Sequence, residues 1–212
     1  MSISYLKSSF TQISAKEQAN VTTHAIGLLL VILFCPVLLN SEPLHTPWYG
    51  LVIFIIGMVF TYFSSAYFHL QTDTVVRNKW RIVDHISIFI LIGSTYTPFI
   101  LFHYNVPDGH TFLFVHWMII LGGILFKLIF KDKYEVFSLT LYLLLGWMVL
   151  LIYDPITEHM TDQVKLWLFV GGLSYTTGVI FYVWEKLYYH HAIWHIFVML
   201  GSAGHYMALV NS

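Results

Sequence analysis

The sequence predicts an all-α integral membrane protein, a bundle of seven transmembrane helices, on three observations. Of 212 residues, 58% are hydrophobic and only 10% are charged, whereas an average soluble domain carries roughly 25% charged residues. The charges are spaced to leave seven runs without Asp, Glu, Lys or Arg. Each run is long enough for the roughly 17–25 residues that cross about 30 Å of hydrocarbon. The runs are continuously apolar, which favours helices over barrel strands, whose side chains alternate between lipid and lumen.

Residues 1–17 are more polar, and Ile3, Tyr5, Leu6 and Phe10 beside Lys7 suggest a short interfacial helix. Span 1 is the run 18–41; it ends without a small-x-small cleavage pattern and is expected to be retained rather than removed as a signal peptide. Cys35, the only cysteine, lies mid-span, so no intramolecular disulfide can form, and it reads as a packing residue. Span 2 is 43–72 and span 3 is 85–107, where Pro98 is expected to kink the helix. Ser94, Thr95 and Thr97 are at hand for the carbonyl that proline leaves unpaired. Spans 4 to 7 are 109–126, 136–153, 166–184 and 187–212. Gly122-Gly123, Gly171-Gly172 and Gly201-x-x-Gly204 allow close helix approach. With short loops, no low-complexity tract and no repeat, a single membrane domain is expected over 1–212, preceded only by the short segment 1–17.

Alternating the seven spans puts nine of the ten Lys and Arg residues on one side: Lys7, Lys16, Arg77, Lys79, Arg81, Lys127, Lys131, Lys133 and Lys186. Lys165 alone is opposite, with Glu42, Asp108, Asp154, Glu158 and Asp162. Because basic loops are retained inside, the N-terminus is expected in the cytoplasm and the C-terminus outside. A net charge of −1 gives no reason to expect nucleic acid, and no basic cluster is large enough for a strong anionic-lipid site.

Several of the twelve histidines need no chemistry. His45, His103, His110 and His159 fall in or beside loops, and His116 and His205 read as hydrogen-bonded to neighbouring helices. A different set converges in depth at 1.5 Å per residue. His69 lies about one turn before the end of span 2, Asp84 at the start of span 3, and His191 and His195 one and two turns into span 7. His191 and His195 are i,i+4 and share a helix face, and Ser65 precedes His69 at the same spacing. Three neutral imidazoles with an open fourth position match catalytic rather than structural zinc. A carboxylate at Asp84 is tolerated in the membrane beside such a cation. His-x-x-x-His alone equally fits an interfacial pair reaching for water. Haem is not expected, because i,i+4 residues on one helix cannot be opposite axial ligands. Glu17 and His24, near the start of span 1, read either as a helix-start cap and a structural hydrogen bond or as residues orienting a ligand histidine.

Ser65-Ser-Ala-Tyr-Phe-His69, Asp84-His85 followed by Gly93-Ser-Thr-Tyr-Thr-Pro-Phe99, His191-Ala-Ile-Trp-His195 and Glu17-x-x-Asn20-x-x-x-His24 resemble the hemolysin III branch of the progestin and adipoQ receptor family. The resemblance spans essentially the whole chain. With the related alkaline ceramidases, it implies zinc held by His69, His191 and His195, with Asp84 beside its water and Ser65 lining the site. It also implies a hydrolase acting on a lipid amide or ester, in the plasma membrane and by type the bacterial inner membrane. Residues 1–24 show neither a long N-terminal domain like that of adiponectin receptors nor the acidic calcium cluster of the ceramidases, so hormone reception and calcium dependence are not expected. Two other readings stay open: a receptor-like or membrane-homeostasis protein in which zinc staples spans 2, 3 and 7, and a membrane-permeabilising hemolysin, for which no polar pore-lining stripe is seen.

Overall fold

The computed structural model describes residues 3–40 and 47–212, with side chains from Leu6 onward except that of Lys7. Glu42 and His45, and the side chains of Ile3, Tyr5 and Lys7, lie outside the described residues. The order is α1 Ile3–Gln12, α2 Ala15–Asn40, α3 Trp48–Leu70, α4 Thr74–His103, α5 Pro107–Phe130, α6 Glu135–Gly146, a 3₁₀ segment Met148–Ile152, α7 Tyr153–Thr157, α8 Asp162–Val183 and α9 His190–Val210. Among the described residues, seven units are long and apolar enough to cross a membrane: α2, α3, α4, α5, the stretch Glu135–Thr157, α8 and α9. The segment expected to lie at the interface is helical as α1.

Local chemistry explains where these helices start. Asp73 accepts a hydrogen bond from the Val76 amide at 2.8 Å and Thr161 one from the Val164 amide at 3.3 Å, satisfying donors that a helix start leaves open. Pro107 opens α5, where its missing N–H costs nothing. Helix α4 starts at Thr74, well before the apolar run, so Arg77, Lys79, Arg81 and Asp84 ride its first three turns rather than a loop. It runs unbroken through Pro98, and the Thr97 hydroxyl donates to the Gly93 carbonyl at 2.8 Å. Span 5 is broken at Gly146, and Tyr96 of α4 bridges the break. Its hydroxyl donates to the Gly146 carbonyl and accepts from the Val149 amide, both at 2.8 Å.

Two glycines bring α8 and α9 into backbone contact, since a Cβ on Gly204 would lie 2.9 Å from Gly171 Cα. Gly123 packs on the Phe89 ring, whereas a Cβ on Gly122 would meet nothing within 4 Å. At the end of the bundle where α2 finishes, Leu38, Phe54, Ile100, Val164 and Leu209 are fully buried. Leu29, Ile32, Leu33, Ile129 and Leu151 point outward, as a lipid-facing surface requires. The opposite end, where α2, α4 and α9 begin, is polar inside.

Candidate metal centre

Every residue singled out by spacing meets at that polar end. Ser65 and His69 come from the last two turns of α3, Asp84 from α4, and His191 and His195 from the first two turns of α9. Ser65, His69, Asp84 and His195 are buried, and His191 is half-buried. The three rings form a triangle, with centroids 4.9 Å apart for His69 and His191, 5.2 Å for His69 and His195, and 4.6 Å for His191 and His195. One ligand atom from each can be chosen so that all three lie within 4.8 Å of one another.

What each imidazole does at its other edge decides which nitrogen is available. His69 Nδ1 stands 2.6 Å from Glu17 Oε2. An ionised carboxylate has no proton to give, so Nδ1–H is the donor and Nε2 keeps its lone pair. His195 Nδ1 lies 3.0 Å from Thr23 Oγ1 and 3.3 Å from the Asn20 carbonyl, again acceptors for an N–H. Among the described residues, the Nε2 atoms of His69 and His191 are buried with no hydrogen-bond partner, and His195 Nε2 has only the Ser65 hydroxyl, at 3.4 Å. Buried polar atoms are normally paired, so converging unpaired nitrogens fit an ion. A tetrahedral zinc with Zn–N of about 2.0–2.1 Å needs nitrogens about 3.3 Å apart, and the ligand atoms here lie within 4.8 Å of one another without an ion. Asp84 has the Ser65 hydroxyl, His69 and His85 as its charged and polar neighbours.

His24 does not join the triangle. Its ring stacks face to face on His195, centroids 3.7 Å apart and planes at 15°, and among the described residues neither of its buried nitrogens has the structural hydrogen bond that is one expectation for it. His116 hydrogen-bonds the Leu145 carbonyl at 3.4 Å, as expected for a structural histidine. His205 instead stacks on Tyr175, with Nδ1 unpaired. Periodicity and charge counting missed three residues at the site. Arg77, read only as a topology signal, donates to Glu17 Oε1 at 2.6 Å, and the Thr23 hydroxyl and the Asn20 carbonyl bond His195. Lys127, counted among water-reaching cations, is 1% exposed and pairs with Asp132.

A polar recess of about 710 Å³ opens onto the cluster, lined by Lys16, Glu17, His69, Arg77, His85 and His191 among others. Deeper in the bundle, an apolar cavity of about 160 Å³ lies among Leu91, Phe99, Trp147, Tyr142, Trp194 and His205. Tyr182, Tyr142 and Trp194 stand between the two, around a gap of about 20 Å³, and the Tyr182 hydroxyl donates to Glu135.

Comparison with known proteins agrees with this architecture. Residues 12–206 match the family model described as Haemolysin-III related. The chain is 36% identical to the "Hemolysin-3 homolog" of Bacillus subtilis (strain 168), covering 92% of this chain and 93% of that protein. It is also 36% identical to "Hemolysin-3" of Bacillus cereus, covering 91% and 90%. The human "Monocyte to macrophage differentiation factor" is 30% identical, with 92% and 83% covered. No solved structure gives a significant match.

Proposed function

The chain belongs to the haemolysin-III-related family of multi-pass membrane proteins, and from that premise we propose that it is a zinc-dependent hydrolase of a lipid amide or ester. The observation that carries this reading is the triangle of imidazoles, with unpaired nitrogens turned inward beside the buried Asp84 carboxyl. His69, His191 and His195 would hold the ion. Bound zinc supplies Lewis acidity toward a carbonyl and makes water a nucleophile near neutral pH. Asp84 would take the proton of the attacking water and return it to the amine or alcohol that leaves as the C–N or C–O bond breaks, and the Ser65 hydroxyl, within reach of Asp84 and His195, would donate to the oxygen that gains charge. The polar recess admits a headgroup, and the apolar cavity behind Trp194 suits a hydrocarbon chain. The bacterial relatives support the cytoplasmic (inner) membrane of a bacterium, and the charge bias supports an orientation with the N-terminus and the site inside. A single membrane domain over 1–212 belongs to this reading.

The relatives' name, hemolysin, raises membrane permeabilisation as a second reading. What weighs against it is the path itself: the polar recess leads to the histidines, and the space beyond them is apolar. A structural zinc bracing α3 and α9 is the nearer rival. Asp84→Asn separates the rivals. For a hydrolase, zinc content and melting temperature stay near wild type while turnover falls about 10²–10⁴-fold, the usual loss for a general base. The readout is the lipid composition of membranes containing each protein, by mass spectrometry. A stable, zinc-loaded Asp84→Asn protein whose membranes match wild type overturns the hydrolase.

A further inference from the structure

We propose that one face of α2, carrying Glu17, Asn20 and Thr23, is a template that presets His69 and His195 for the ion. This inference rests on the metal-site reading above. The three residues follow one another at i,i+3 spacing and so lie along one side of the helix. Glu17 is the pivot. Its Oε2 accepts a hydrogen bond from His69 Nδ1–H at 2.6 Å and its Oε1 accepts one from an Arg77 N–H at 2.6 Å, so helices α3 and α4 hold the carboxylate from both sides. Asn20 Nδ2 donates to the same Oε2 at 3.4 Å.

The other half of the template faces α9. The Thr23 hydroxyl gives its own proton to the Ala19 or Asn20 carbonyl, at 3.0 and 2.9 Å, which leaves its lone pairs toward His195 Nδ1. The Asn20 carbonyl is a second acceptor for that N–H. Two imidazoles from helices far apart in sequence are thereby fixed with Nδ1 protonated and Nε2 basic.

The plainer account, that Glu17 caps the start of α2, does not match its contacts. Ser14-x-x-Glu17 has the capping-box pattern, and Ser14 Oγ does accept from the Glu17 amide at 3.4 Å. The Glu17 carboxylate turns away from the helix start to His69 and Arg77 instead. Outer partners of this kind set ring orientation and ligand basicity, and losing one typically costs 10–100-fold in metal affinity.

The test uses the purified full chain. Zinc affinity is measured by chelator competition, and cobalt substituted for zinc reports ligand geometry through its visible absorption. The variants are Glu17→Ala, Glu17→Gln and Thr23→Val. Glu17→Ala should weaken zinc binding about 10–100-fold. Glu17→Gln keeps an acceptor oxygen and should lose less, and Thr23→Val should weaken binding through His195 alone. All three should alter the cobalt spectrum, which a purely structural role would leave unchanged in whatever protein remains folded. If Glu17→Ala does not fold, the near-isosteric Gln variant carries the test. A wild type that binds no zinc overturns the metal-site reading and the template with it. Tight zinc in wild type, matched in affinity and spectrum by Glu17→Gln and Thr23→Val, overturns the template alone.

Discussion

Two carboxylates at the polar end of the bundle are each gripped by a histidine and an arginine, and they differ in what lies behind the histidine. Glu17 holds His69 and Arg77. Asp132, in the turn between α5 and α6, holds Arg81, His85 at 3.3 Å and the buried Lys127 at 3.4 Å. The far nitrogen of His69 is unpaired and faces two more imidazoles. The Asp132 group closes on itself: His85 is anchored through its backbone carbonyl, which receives the Tyr142 hydroxyl at 2.8 Å, and its cations share one acid. Residue types alone would rate the two alike. His85 Nδ1 also lacks a hydrogen bond among the described residues but faces Asp132, so what separates a candidate site from a clasp tying α4 to α5 is the convergence of three imidazoles on one point.

The comparison breaks most sharply on metal content. His195→Ala and His191→Ala should take the protein from about one zinc per chain to none, and they should lower its melting temperature, because binding free energy adds to folding free energy. Full zinc in either variant, by elemental analysis of purified protein, would sink the assignment.

Asp132→Ala probes the clasp. It leaves Lys127 buried without its acid, and a fully buried pair broken this way costs about 3–5 kcal/mol. Asp132 is 26% exposed and Arg81 is half in solvent, so about 2–3 kcal/mol is expected here, read as a lower melting temperature. Zinc content should not change. If zinc is lost in proportion, the two carboxylates do not play separate roles.

The smallest effect is a response to acid. The His85 ring 3.3 Å away, followed by the charges of Arg81 and Lys127, holds the Asp132 carboxyl well below the usual carboxylate range. A group depressed in the folded state contributes stability that is complete above its unfolded pKa, about 3.9, and is lost as pH falls through the folded value. Melting temperature should therefore drop on acidification below about pH 4, and by less in Asp132→Asn. Equal slopes for the two proteins would remove Asp132 from the acid response.

The seven crossings were legible because hydrocarbon demands long unbroken apolar runs, and those can be counted. Helix ends were not, because charge-free runs measure the apolar layer and not the helix. Helix α4 carries Arg77, Lys79 and Arg81 on its first turns, outside the run but inside the helix. The break at Gly146 was invisible for another reason, since what stabilises it is the Tyr96 hydroxyl of a different helix. At the site, a constant rise per residue was enough to bring His69, Asp84, His191 and His195 to one depth. Rotation of each helix about its axis is not encoded in depth. The bonds of Glu17, Asn20 and Thr23 to the ligand rings depend on that rotation, as does the burial of Lys127, so these appeared only in three dimensions.

The α2 face also sets an order of events during synthesis. Glu17 and His69 are separated by 52 residues, whereas Thr23 and His195 are separated by 172. Chains emerge N-terminus first, so the carboxylate–histidine pair forms as soon as α2 and α3 are side by side, while the last two rings arrive only with the final helix. A polypeptide arrested before α9 presents the ion a single oriented imidazole. On the metal-site reading, capture of an ion would therefore register whether the first and last helices have met.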